Sequence, residues 1–334
     1  MYDIRPAYNA KSVKNYLAYD EPGVDIAFGG KGFEHLGIDP TADMTLRKFN
    51  ALIDNKSPLN PKESLTPRNT EGRIVGNYVT LSPPKDVTLL VIGAQPEVAE
   101  KARECLREAG DYVMKRFIEP EATVRERKGP HADRETGNLM WVRLHHTLDR
   151  PHEGKIMPQE HLHYFIPNAT FDETRGRFFA TKLRGGWWES AKIKRQFHKR
   201  LRDNLERELG IKTKGFGMRW RIEGIDRETV ERFSLRGKAA QANIEAGVSR
   251  KFAALKGREP KMKLDEQDVA ELKEQWQALL TDRDRQCLRN LVARPKWGRR
   301  LHPGKRRLEF IRNLAHLTHA APDPRREVDF ALTR

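Results

Sequence analysis

Glu160-His161-Leu162-His163-Tyr164-Phe165-Ile166 is an apolar, strand-like run that carries two histidines two positions apart. Side chains alternate faces along a strand, so His161 and His163 point the same way, close enough to grip one metal ion. A second pair, His145-His146, lies upstream in another apolar stretch. If the two strands are neighbours, one of that pair must share the face of the first. The chain then offers three nitrogen ligands, and no cysteine lies nearby to make a thiolate site. A buried histidine alone is ordinarily a hydrogen-bonded core residue. Here six of the eleven histidines fall between His131 and His163, and that clustering favours metal over core. His131 and His152 sit in Pro/Gly/charge-rich stretches and read as loop residues.

The 334 residues are 37% hydrophobic, enough for one large core or two smaller ones. A formal charge of +16 points to a polyanionic partner, nucleic acid first. No apolar run approaches the ~20 residues that span a bilayer, and no secretory signal is visible at Met1-Tyr2-Asp3-Ile4-Arg5-Pro6. The only two cysteines, Cys105 and Cys287, are far apart, which fits a reducing cytoplasm.

Along the chain, 8–18 reads as a helix carrying tyrosines, and Pro22-Gly23 with Gly29-Gly30-Lys31-Gly32 as a flexible segment. A short helix is expected around 46–53 and a strand over 73–81, stopped by Pro83-Pro84. Pro96 opens a helix striped with Val98, Ala102, Cys105, Leu106 and Ala109. The histidine strands are expected over 139–148 and 161–171. Ile193, Phe197, Leu201, Leu205 and Leu209 recur every four residues, predicting a helix that ends at Gly210 in a left-handed cap. A strand over 216–222 and a helix capped by Asp226 follow. After about residue 245 strand formers become sparse. The reading there is a basic, mainly helical extension over 246–334, containing an amphipathic helix over 265–280. Within it Lys296, Arg299 and Arg300 belong to a basic run with interleaved Trp297, suited to contacting phosphates.

A three-histidine site with an open position suits a divalent ion acting as a Lewis acid, and in so basic a chain the natural substrate is a phosphodiester. No Gly-x-Ser-x-Gly elbow and no Walker A pattern occurs in these 334 residues. Tyr16 and Tyr19 remain as candidate nucleophiles, each needing activation because a phenol has a pKa near ~10.

Further motifs give this constellation a context. Pro158-Gln159-Glu160-His161-Leu162-His163 is similar to P-Q-L-H-T-H, and Thr136-Gly137-Asn138-Leu139 precedes Leu144-His145-His146-Thr147-Leu148-Asp149-Arg150, which is similar to F-x-H-x-x-S-R. Gly30-Lys31-Gly32-Phe33-Glu34-His35-Leu36-Gly37 and Thr80-Leu81-Ser82-Pro83-Pro84-Lys85-Asp86-Val87 are similar to G-K-G-A-E-x-L-G and T-F-S-A-P-K-S-V. Over much of residues 10–245 the chain thus resembles the relaxase domain of MobF-class conjugative relaxases (TraI/TrwC type) of the HUH endonuclease superfamily. The resemblance implies an α/β relaxase domain over 1–245, with a central, mostly antiparallel sheet flanked by helices and the tyrosine helix across the metal face. It places the third ligand on His146, with His145 as the fallback, beside His161 and His163. The implied cofactor is one divalent ion, Mg²⁺ or Mn²⁺ first, other transition metals next. The implied reaction is attack by Tyr16 or Tyr19 on single-stranded DNA at a plasmid origin of transfer, leaving a 5′-phosphotyrosyl enzyme and a free 3′-hydroxyl. Lys85, Arg150, Trp187, Trp188 and the basic run are the expected DNA contacts, with Trp220 a further stacking candidate.

The expected partners beyond DNA are a type IV secretion coupling protein and accessory DNA-binding proteins; the setting is the bacterial cytoplasm, with transfer into a recipient. One position departs from the pattern: where the family has an aspartate before T-F-S-A-P-K, this chain has Tyr78, leaving Asp149 or Glu160 as substitutes. The rival readings are a rolling-circle initiator or transposase with the same chemistry, a non-catalytic DNA-binding derivative, and a structural zinc domain.

Overall fold

The computed structural model describes residues 4–18, 22–67, 70–124, 133–183, 187–253, 256, 259–260 and 262–292, with backbone alone at 187–190, 250 and 251. In chain order the strands are β1 (Ile4–Ala7), β2 (Asp25–Gly29), β3 (Gly76–Leu81), β4 (Ala122–Val124), β5 (Trp141–Leu148), β6 (Pro158–Pro167), β7 (Thr170–Asp172), β8 (Arg177–Phe179), β9 (Thr181–Leu183), β10 (Thr213–Phe216) and β11 (Arg219–Ile222). The helices are α1 (Ala10–Ala18), α2 (Leu46–Ile53), α3 (Lys85–Gly93), α4 (Pro96–Val113), α5 (Trp187–Leu209), α6 (Arg227–Arg232), α7 (Leu235–Glu245), α8 (Arg250–Ala253), α9 (Glu266–Leu279) and α10 (Asp282–Leu291).

Five strands form the central sheet in the order β1-β3-β6-β5-β2, each neighbour antiparallel. Alternation along β5 and β6 divides its two faces. The back face presents Trp141, Leu162, Tyr164 and Ile166 to a core shared with α3, α4 and α5. The front face presents Val142, Leu144, Phe165 and Tyr78, covered by Val13 and Leu17 of α1 and by Phe49, Leu52 and Ile53 of α2. Both layers follow from strands buried on two sides, which explains why β6 is apolar at nearly every position outside its histidines.

Helix α4 begins with Pro96 at its first turn, as its sequence predicts, and buries Ala99, Ala102, Cys105, Leu106 and Ala109. Small residues let it lie close on the sheet. At Gly110 a Cβ would come within 2.4 Å of both Leu162 Cδ1 and Tyr164 Oη. Gly110→Ala is therefore expected to destabilise the fold by about 1–3 kcal/mol through overpacking. The denaturant midpoint should fall with the slope unchanged. Helix α5 ends as expected, at Gly210 with φ 65°. The 265–280 helix is closed by a capping box, in which Asp265 accepts from Asp268 N while Asp268 accepts from Asp265 N.

Four expectations need correction. The segment read as flexible contains β2, an edge strand paired with β5 from Asp25↔His145 to Gly29↔Trp141; its glycines allow close approach, since a Cβ at Gly29 would strike the Trp141 ring. The strand over 161–171 is two strands, because β6 starts earlier at Pro158 and the chain turns at Asn168 before β7. The strand over 216–222 is a hairpin, β10–β11, reversing at Gly217 with φ 59°. Asp226 precedes α6, but its carboxylate pairs with Arg283 at 3.1 Å instead of capping the helix. Trp276, Leu280 and Leu288 are buried in the back-face core. Among the described residues, no helix is long and apolar enough to cross a membrane.

Candidate active site

The register of β5 against β6 sets His146 directly opposite His161, and Leu144 opposite His163. All three imidazoles therefore share the front face. Their ring centroids are 4.8 Å apart for His161–His163, 5.1 Å for His146–His163 and 5.5 Å for His146–His161. His145, one residue away, projects through the back of the sheet and meets Glu160 Oε2 at 2.6 Å. Strand parity thus separates the two histidines that the sequence left as alternatives.

Helix α1 brings Tyr16 onto this cluster. Val13 and Leu17 are buried against the front face and turn the half-buried Tyr16 toward the histidines. Its ring lies 5.6 Å from His163, edge to face, and 6.4 Å from His146. Tyr78 stands beside it at 5.4 Å and in turn packs on Phe165 at 5.1 Å. Burial pushes the Tyr78 hydroxyl up to about 12, so this position carries a neutral phenol at physiological pH.

The donor chemistry suits a metal. His161 Nδ1 donates to the carbonyl of Gln159 at 2.8 Å, which places the lone pair on Nε2. His163 Nδ1 is 3.0 Å from Thr80 Oγ1. A ligand nitrogen at about 2.1 Å puts its ring centroid about 3.2 Å from the ion, so three tetrahedral imidazoles have centroids about 5 Å apart. The observed spacings match. Among the described residues no group of three His, Cys, Asp or Glu side chains stands in closed ligand geometry.

Of the two acids proposed to stand in for the missing aspartate, Glu160 is turned away from the cluster. Glu160 points to the back face, held by His145 and by Arg103 Nε at 3.2 Å. Asp149 is engaged by the guanidinium of Arg236.

The fold has counterparts among known proteins. The family model described as TrwC relaxase matches residues 5–283. The chain belongs to the TrwC relaxase family. Among solved structures, the conjugative relaxase TrwC in complex with OriT DNA, metal-bound, superposes with a TM-score of 0.70 at 20% identity, covering 87% of this chain and 100% of that one. TrwC with a 27-mer DNA comprising the recognition hairpin and the cleavage site gives 0.65 at 22% identity, over 84% and 97%. A copper-bound TrwC–OriT complex gives 0.67 at 22%, over the same shares. No curated protein matches the chain. The relaxase fold of mixed α/β type, with its central antiparallel sheet, is thus shared with these structures.

The expected DNA contacts fare unevenly. Lys85, at the start of α3, gives its ammonium to the Pro158 carbonyl at 2.6 Å rather than to the surface. Burial lowers it to about 8, opposed by Asp149 and reinforced by Arg236. Because the unfolded chain binds this proton more tightly, near the ordinary pKa of 10.5, the contribution of Lys85 to stability is full above that value and is lost as pH falls through about 8. The stability difference between the parent and Lys85→Met should accordingly shift in the parent's favour from pH 8 to 10.5, measured by denaturant unfolding. Arg150 is half-buried just after β5, its backbone N–H on Asp149 Oδ1. Trp220 is a core residue, 1% exposed, whose Nε1 donates to His198 Nδ1, so it cannot stack on a base. Burial lowers His198 to about 4 and keeps it a neutral acceptor. Trp187 and Trp188 open α5, with side chains outside the described residues, as are Tyr19, Lys296, Arg299 and Arg300 entirely.

Proposed function

We propose that this relaxase nicks and rejoins single-stranded DNA at a plasmid origin of transfer, with Tyr16 as nucleophile and His146, His161 and His163 holding one divalent ion, Mg²⁺ or Mn²⁺ first. The observation that carries the reading is the meeting of α1 with the β5–β6 histidines, which sets the Tyr16 ring 5.6 Å from His163. The ion, when bound, supplies Lewis-acid polarisation of the non-bridging oxygens of the scissile phosphate. Tyr16 Oη gives up its proton to water and bonds to phosphorus as the P–O3′ bond breaks. The departing 3′-oxygen takes up a proton, and the 5′-phosphate stays on the enzyme. The reverse step rejoins the strand. Gln159 O holds His161 as the Nδ1–H tautomer, and Thr80 Oγ1 contacts His163 Nδ1. Tyr78 packs against Tyr16 as a neutral wall, so the proton of Tyr16 leaves without help from a carboxylate at that position. Arg150, the basic run with Lys296, Arg299 and Arg300, and the tryptophan pair Trp187-Trp188 supply phosphate and stacking contacts, so DNA affinity falls with salt. The protein works in the cytoplasm with a secretion coupling protein and accessory DNA-binding proteins.

Incubation with labelled single-stranded DNA carrying the cognate origin, plus Mg²⁺ or Mn²⁺, is expected to give a denaturation-resistant protein–DNA adduct on the 5′-phosphate side. Binding without an adduct on cognate DNA would instead favour the non-catalytic DNA-binding reading, which the Tyr78 substitution motivates.

A further inference from the structure

The ladder between β5 and β6 breaks at one place, immediately beside the candidate metal ligands. From His146↔His161 to Leu148↔Pro158, β5 advances two residues while β6 advances three. The extra residue makes a β-bulge at Gln159–Glu160, and bulges re-aim the side chains next to them. His161 is the next residue, and its Nδ1 is bound to the Gln159 carbonyl inside the bulge. Whatever fixes the bulge therefore fixes the aim of His161.

Glu160 does this from the back face. Its carboxylate, 2% exposed, accepts from His145 Nε2 at 2.6 Å and from Arg103 Nε of α4 at 3.2 Å. Its backbone N–H donates to Thr88 Oγ1 of α3 at 3.1 Å. Three elements thus hold one bulge residue by hydrogen bonds, from the buried His145 and Thr88 and from the partly exposed Arg103. His145 adjoins His146 in the same way that Glu160 adjoins His161, so one buried bond ties the backbones of two front-face histidines from behind. A buried carboxylate is costly to place and is retained where its partners are satisfied. The motif this stretch resembles has leucine at this position, where this chain has Glu160.

We infer that Glu160, with His145 and Arg103, is a positioning residue that sets the β6 bulge and thereby aims His161 at the metal. The inference rests on the His146–His161–His163 reading and extends it to residues on the opposite face of the sheet. Its scale is that of an outer-shell partner, about 10–100-fold in metal affinity.

The test is Co²⁺ titration of the full chain, without DNA, followed by the visible bands of the bound ion, beside thermal melting. Glu160→Leu should weaken Co²⁺ binding about 10–100-fold and shift the bands, while Glu160→Gln, which keeps an oxygen acceptor for His145, should recover most of the affinity. Asp172→Ala, which removes the buried carboxylate that Arg134 donates to elsewhere, should lower the melting temperature and leave Co²⁺ affinity unchanged. A folded Glu160→Leu protein that binds Co²⁺ like the parent overturns the inference while leaving the metal site standing. A parent that binds no Co²⁺ overturns the metal reading, and the inference with it. Should Glu160→Leu fail to fold, His145→Leu carries the same two outcomes, with His145→Gln as its rescue.

Discussion

Tyr16→Phe is expected to abolish the covalent DNA adduct and to cut strand nicking by at least about 10³-fold, because removing a nucleophile leaves only the binding and electrostatic contributions to catalysis. The substitution deletes one hydroxyl. The ring of Tyr16, half-buried between Tyr78 and His163, keeps its edge contacts, so the fold and the affinity for single-stranded DNA should hold. The measurement is a labelled-oligonucleotide assay, with denaturing gels for the adduct and equilibrium binding in parallel. An adduct of undiminished yield in Tyr16→Phe would move the nucleophile to Tyr19, three residues on.

The second large effect concerns the ion. The double substitution His161→Ala/His163→Ala removes two imidazoles of the three whose centroids lie within 5.5 Å of one another. Loss of Mn²⁺ affinity should go well beyond the ~10–100-fold cost of disturbing an outer-shell partner, and nicking should fall with it. Both side chains are half-buried at the edge of the front-face core, so melting should change little compared with the loss of metal. Calorimetric titration of Mn²⁺ into parent and variant decides the point; unchanged affinity would remove these histidines from the site.

The parts of the site that obey strand periodicity were readable in advance. His161 and His163 lie two apart, and alternation alone puts them on one face. The resemblance set His146 ahead of His145, and the reason became visible only with the register, which pairs His146 with His161 and turns His145 to the back. The helices with long apolar stripes, α4 and α5, were equally legible. What failed was short or context-dependent. The edge strand β2 is five residues between glycines, and its pairing with β5 is a tertiary fact that composition cannot announce. The β10–β11 hairpin hides in a stretch that reads as a single strand. Trp220 resembled a stacking surface because its burial depends on α5, which supplies His198.

Glu160 is the most instructive of these. In sequence it is an acid beside the ligand histidines, and so a natural replacement for the aspartate that Tyr78 displaces. In the structure it is on the wrong face for that role, bound to His145 and Arg103. Period-2 alternation already carried the information, since 160 and 161 must point oppositely on a strand. The bulge beside it did not, because the extra residue shows only when β5 is laid against β6.

The central claim is that the front-face cluster is a tyrosine nicking centre, and it is tested most directly by locating the adduct. The protein is reacted with cognate single-stranded DNA and Mn²⁺, digested with protease and nuclease, and the nucleotide-bearing peptide is sequenced by mass spectrometry. The account predicts a nucleotide phosphate on the peptide containing Tyr16, attached at the phenolic oxygen. A modification on any other residue would contradict it.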